Sequence, residues 1–207
     1  MKKNERVLRE ILYRVYELGE SFASQVEIAE SCGVSLDLVN QVVRRLSEFG
    51  GVRMHIKGMY ITNPKKILLY WAARRNLRRD IVYSAQCREP PQEVESRLCG
   101  KFIFTCYSGH RFRFGGSVAY DEVYAYGEPD VARDMFPESL GKKPNLFILK
   151  EDEHLKRRSR DGSVTLAQLY VDLWQLGTPA ADDLLATMKK RLDAIPITVF
   201  LEEVGGG

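Results

Sequence analysis

Residues 24–62 read SQVEIAESCGVSLDLVNQVVRRLSEFGGVRMHIKGMYIT, and this stretch decides the fold. Ser24 is a natural N-cap, with Glu27 three positions on at the spacing of a capping box. It opens a short helix carrying Val26, Ile28 and Ala29, which stops at Cys32-Gly33. Gly33 can take the left-handed conformation that a tight interhelical turn requires. Ser35 caps the next helix, which runs to Phe49 with Val39, Val43 and Leu46 as its apolar stripe and Val42 and Phe49 on the flanks. Gly50-Gly51 end it. Residues 52–56 and 59–61 then fit two short strands around Lys57-Gly58, a glycine at the tip being what a tight hairpin prefers. Helix, turn, helix and hairpin follow in the order of a winged helix-turn-helix, which sets its second helix in a DNA major groove.

Working outward, residues 4–18 carry Val7, Leu8, Ile11, Leu12, Val15 and Leu18 at helical spacing, and Gly19 closes that helix. Downstream, Asn63-Pro64 open a fourth helix with Ile67, Leu68, Trp71 and Ala72 on one side, followed by Arg74, Arg75, Arg78 and Arg79. Residues 1–79 hold 15 of the 31 Lys/Arg and 8 of the 28 Asp/Glu, a net +7, whereas the remainder nets −4. A basic front half on an acidic back half points to a nucleic-acid-binding module attached to a second domain.

With Val39, Val43 and Leu46 facing inward, the opposite helix face presents Asp37, Asn40, Gln41, Arg44 and Arg45. Ser35, Asp37, Asn40 and Gln41 lie early in the helix and are the candidates for base edges. Asn and Gln can pair with adenine, and Arg with guanine. Arg44 and Arg45 are expected to meet phosphate, and His55 and Lys57 on the hairpin to reach backbone or minor groove. Arg74, Arg75, Arg78 and Arg79 extend a phosphate track or, equally, pair with carboxylates of the second domain. One winged helix reads only a short half-site, so a homodimer is among the expected partners.

The back half mixes elements: strands over 81–85, 102–106, 118–126, 146–149 and 197–201, and helices over 90–98, 129–136, 165–176 and 179–192. The fold class is therefore α+β, with a winged helix-turn-helix at 1–76 and a mixed α/β domain at 77–207. The closing Gly205-Gly206-Gly207 is expected to be disordered. Cys32, Cys87, Cys99 and Cys106 show no CxxC pair and read as free thiols. No apolar run approaches the roughly 20 residues needed to cross a bilayer, and no apolar stretch follows the basic start. A cytoplasmic location without membrane partners is expected.

Gly115-Gly116-Ser117 followed by Asp121-Glu122 is similar to the metal site of a nucleotidyltransferase. That chemistry needs two carboxylates on one face of a strand, and adjacent residues point to opposite faces. Cys106 and His110 lack the third group of a nucleophilic site. Lys156-Arg157-Arg158-Ser159-Arg160 reads as a solvated loop or strand edge. Arg111 to Phe114, alternating basic and aromatic, reads as one exposed and one buried face or as an RNA contact. No catalytic residue, metal site or cofactor is assigned, and no enzyme activity is expected. The alternative is a nucleotidyltransferase-like or RNA-processing enzyme with a nucleic-acid-binding arm.

Two blocks resemble AbiEi-type antitoxins. Residues 164–173, VTLAQLYVDL, are similar to that family's Gln-Leu-Tyr-x-Asp-Leu helix, and 178–184, TPAADDL, to the helix after it, with Thr178-Pro179 where the family has Arg-Gly. Pro144 to Leu149 is similar to the strand before them. The resemblance implies a transcriptional regulator whose C-terminal domain is nucleotidyltransferase-like in fold without its catalytic residues. It also implies a cognate toxin as a partner where one is encoded alongside.

Overall fold

The computed structural model describes residues 1–116, 118–137 and 143–195. Ser117, the strand expected over 197–201 and the terminal glycines lie outside the described residues. Helix α1 (Lys3–Leu18) ends at Gly19, whose φ of 72° is left-handed. Strand β1 (Phe22–Ala23) leads to α2 (Gln25–Cys32), and α3 (Leu36–Glu48) follows after the left-handed Gly33. The hairpin β2 (Val52–His55) and β3 (Gly58–Ile61) joins β1 in a sheet of order β1-β3-β2. Helix α4 (Pro64–Arg74) closes this half, capped by Asn63, whose side-chain Oδ1 accepts from the Lys66 amide. Val39, Val43 and Leu46 are buried as their spacing requires, against Val7, Ile11, Ile28, Ile61, Ile67 and Trp71.

Several local expectations change. Ser24 accepts from the Val26 amide, and Glu27 pairs with Arg14 instead of closing a capping box. The hairpin turn is Ile56-Lys57, not Lys57-Gly58, because Gly58 is already paired in β3 with His55. Glycine is needed at 58 for another reason. A Cβ there would stand 2.4 Å from the Ala23 carbonyl oxygen, so only glycine lets β1 pack this closely. The fourth helix stops at Arg74, and a 3-10 turn (Leu77–Asp80) carries Arg78 and Arg79. The four arginines therefore do not share one helix side.

The second sheet has the order β4-β7-β6-β5, with β4 (Ile81–Ala85), β5 (Ile103–Thr105), β6 (Val123–Tyr126) and β7 (Leu146–Leu149). The central pair β6–β7 is parallel and the outer pairs are antiparallel. Helices α5 (Pro91–Leu98), α6 (Cys106–Phe114), α7 (Pro129–Met135), α8 (Glu153–Arg158), α9 (Leu166–Trp174) and α10 (Pro179–Asp193) complete the chain. Two of them depart from the sequence reading. Arg111 to Phe114 lies in α6, and the basic run from Lys156 to Arg158 forms the second half of α8. Cys32, Cys87 and Cys106 are buried and Cys99 is exposed, all as free thiols. Among the described residues, no helix is long and apolar enough to cross a membrane.

The expected boundary near residue 76 is a change of sheet but not a break in packing. One apolar cluster joins α1 and α4 to α9 and α10, with Trp71, Leu77, Leu169 and Leu173 in it. Polar clamps surround this seam. Arg75 is buried and donates to Asp172 at 2.8 Å, to Asp80 at 2.5 Å and to the Tyr126 hydroxyl at 2.9 Å. Thr105 and Tyr126 donate to the other oxygen of Asp172, and Gln168, one turn before it, donates to both Tyr126 and Asp172. Burial opposes the charge on Arg75, but Tyr126 and the three carboxylates around it outweigh that and raise its pKa.

A second clamp joins α1 to α8. Arg9 forks onto both oxygens of Asp152, each at 2.8 Å, and Glu10 accepts from His154 and Arg158. Burial pushes the Glu10 carboxyl up, yet the hydrogen bonds from His154 and Arg158 bring it down to about 2. Burial holds His154 below its usual pKa despite Glu10. Its Nδ1 has no partner among the described residues, so a second proton there would be buried unpaired. A neutral ring donating through Nε2, with Arg158 supplying the charge, fits both.

Removing one partner of a buried ion pair strands the other charge. Arg75→Ala and Asp172→Asn should each lower stability by about 3–5 kcal/mol in denaturant unfolding. Arg79→Ala, at an exposed position, should stay within about 0.5 kcal/mol. His110 supplies a pH test. Burial, and then Arg191, lower its pKa to about 4, so the native ring is neutral where the unfolded one begins to charge near 6.5. The unfolded chain then binds more protons, and stability falls as pH drops from about 6.5 to about 4. Comparing unfolding midpoints across that window, His110→Gln should show a shallower decline than the parent protein.

Candidate nucleic-acid interface

The apolar stripe that fixes α3 against α1 and α2 also decides what the helix leaves outside. Ser35, Asp37, Asn40, Gln41, Arg44 and Arg45 are all exposed. Ser35 performs the capping its side chain suits, its hydroxyl accepting from the Leu38 amide at 3.3 Å. The Gln41 amide donates to Asp37 at 2.7 Å, one turn earlier. That contact uses one of two N–H bonds and leaves the other, with the carbonyl oxygen, facing solvent. Arg45 lies 3.3 Å from Glu48, both more than half exposed, and such a pair is worth little.

Asn40 and Arg44 line an open groove of about 520 Å³ with Gln25, Ser47, Glu48 and Met54. It is bounded by the start of α2, the outer face of α3 and strand β2. The hairpin carries the other expected residues. His55 accepts from the Lys57 amide at 3.3 Å and packs edge-on against Phe22 and Tyr60. Lys57 is exposed at the tip beside Ile56. Arg53, missed in the sequence reading, is exposed on β2 with its guanidinium 5.4 Å from the Tyr60 ring. Alternation along the strand was the signal for it, since Arg53 and His55 share one face and Met54 takes the other.

The four arginines after α4 separate. Arg75 is withdrawn from the phosphate-contact set, because its charge is buried and shared among Asp172, Asp80 and Glu5. Arg74 is exposed over the Tyr70 ring, and Arg78 and Arg79 are exposed on the 3-10 turn. Lys66 reaches the Phe49 carbonyl at the end of α3. Arg74 lies eight residues further along α4, about 12 Å at the helical rise, so this cluster is set apart from the α3 groove.

The other candidate chemistry is not assembled. Asp121 and Glu122 precede β6 instead of lying on it, and Glu122 accepts from Tyr124 and sits 3.9 Å from Lys143. Cys106 is fully buried, with its thiol pushed well up by burial, while His110 packs on Phe114. Arg111 is held by Glu95 and Tyr120, and Arg113 by Glu17, so neither is free to stack on RNA bases. Among the described residues, no cluster of three or more His, Cys, Asp or Glu could hold a metal ion. No family model matches this chain, and neither a curated protein nor a solved structure matches it.

Asn40, Gln41 and Arg44 are exposed and make no buried contact among the described residues, the Gln41–Asp37 bond lying on the surface, which gives a direct check. Replacing Asn40, Gln41 and Arg44 together by alanine should leave the thermal midpoint within a few degrees of the parent, each change costing no more than about 0.5 kcal/mol.

Proposed function

We propose that this protein is a transcriptional regulator that binds double-stranded DNA through a winged helix-turn-helix, with α3 in the major groove and the β2–β3 hairpin as the wing. The observation that carries the reading is the outer face of α3. Asn40, Gln41 and Arg44 stand exposed on it, Asn40 and Arg44 lining an open groove with Met54 of β2, and the hairpin also carries the exposed cations Arg53 and Lys57. Asn and Gln there have the donor and acceptor pair that matches adenine, and Arg44 the fork that matches guanine or phosphate. Ser35 belongs to the helix cap, and Asp37 orients Gln41 and can accept from cytosine. Arg74, Arg78 and Arg79 supply a separate cationic surface for flanking phosphate.

The organisation is antitoxin-like. The block resembling AbiEi-type antitoxins supplies Asp172, which accepts from Arg75, and Gln168, which donates to Asp172, so the C-terminal half is joined firmly to the DNA-reading half. In this reading that half serves regulation or contact with a toxin, and a second copy of the chain extends the site to two half-sites.

DNA from immediately upstream of the protein's own reading frame, titrated in a fluorescence-anisotropy assay at low salt, tests the proposal. We expect sequence-preferring binding that weakens steeply with salt. The triple alanine variant at Asn40, Gln41 and Arg44 should lose about a hundredfold or more, since each good base contact contributes about 1–3 kcal/mol. Absence of binding at low salt, or an unchanged affinity in the variant, contradicts the reading.

A further inference from the structure

Ile56 occupies the tip of the β2–β3 turn with 96% of its surface exposed, the most exposed of the large apolar side chains described. Turn chemistry does not call for it. Two-residue hairpin turns favour Gly, Asn or Asp, and a branched apolar side chain contributes nothing to such a turn. Left in water, it forgoes a burial worth roughly ten- to a hundredfold in an equilibrium constant.

Its neighbours give it a setting. Along β2 the side chains alternate, so Val52 and Met54 belong to one side and Arg53 and His55 to the other. Val52 is buried against the core. Met54, 50% exposed, lines the groove with Asn40 and Arg44, and Ile56 follows it two residues on, in the turn beyond the last strand pair, His55–Gly58. The polar side of the strand is drawn away, Arg53 and His55 both packing on Tyr60. Two exposed apolar side chains thus stand on the hairpin, Met54 at the α3 groove and Ile56 at the tip, the second beside the exposed cation Lys57.

We propose that Ile56 is a wedge that enters the minor groove of duplex DNA next to the major-groove site held by α3, parts a base step there and bends the duplex. The proposal rests on the DNA-binding function proposed above. A minor groove about 6 Å wide admits a single side chain but not a helix. Apolar side chains inserted between base steps kink the duplex by roughly 20–90°. Pyrimidine–purine steps open most easily, so the site contains a TA or CA step opposite the hairpin. Lys57 meets the phosphate beside that step.

The test uses the full chain and a duplex selected by it from a randomised pool, labelled at both ends for energy transfer. The parent protein should bring the ends together on binding. Ile56→Ser should bind about tenfold more weakly, leave the duplex nearly straight and keep the salt dependence of binding. Lys57→Ala should keep the bend and lower the slope of log affinity against log salt by about one. Equal affinity and bend for Ile56→Ser overturns the wedge while leaving the DNA-binding function standing. An altered sedimentation of free Ile56→Ser, with no change in bend, assigns the tip to contact between copies and also overturns it. If the parent selects no duplex at all, the function and the wedge fall together.

Discussion

The buried charge of Arg75 is the constraint on which the rest depends. A guanidinium cannot be left unpaired in an apolar interior, and three elements converge to satisfy it: α9 through Asp172, the 3-10 turn through Asp80 and α1 through Glu5. Tyr126 from β6 and Thr105 at the end of β5 then complete Asp172. The register of α9 on both sheets' helices follows from this one cluster, because Gln168 and Asp172 are one helical turn apart and both must point inward. The C-terminal half is therefore not a loosely tethered appendage. Any signal it receives acts on a seam already fixed by charge.

Ion pairs across the two halves also draw on the charge of both. The basic excess of the front half is spent in part internally: Arg9 and Arg6 on Asp152, and Arg75 on Asp172. The traffic runs in reverse as well, with Arg158 on Glu10 and Arg113 on Glu17. Arg157 and Arg158 also grip Ser31 at the end of α2, which ties α8 to the helix pair that carries the outer groove. The cations left for an external polyanion are fewer than the sequence count suggests. Near α3 and the hairpin they include Arg44, Arg53 and Lys57, with Arg45 beside Glu48 and with Arg74, Arg78 and Arg79 further along the chain.

The α1–α4 half was legible because its signals are local. Periodicity placed Val39, Val43 and Leu46 inside, Ser35 at a cap and Gly33 in a left-handed turn, and each of these is a property of a few neighbouring residues. The failures are instructive in the same terms. Gly58 was read as a hairpin tip, but its requirement comes from Ala23, more than thirty residues away. Alternation from Arg111 to Phe114 imitated a strand inside a helix, since ion pairs with Glu95 and Glu17 decide which way those arginines point. Arg75 looked like its neighbours Arg74, Arg78 and Arg79. Only the partner residues Asp172 and Tyr126, distant in sequence, distinguish it. The groove residues Asn40, Gln41 and Arg44 were found from a stripe, whereas Met54 and Ile56 needed the hairpin register.

The central claim is that the outer face of α3 and the hairpin beside it meet duplex DNA. Backbone amide resonances followed by NMR during titration with a selected duplex test it residue by residue. The account predicts that the largest perturbations fall on residues 35–45 and 53–58, while Asp172, Tyr126 and Arg75 at the seam stay unmoved. Perturbations centred instead on the second sheet, with α3 and the hairpin unchanged, would contradict it.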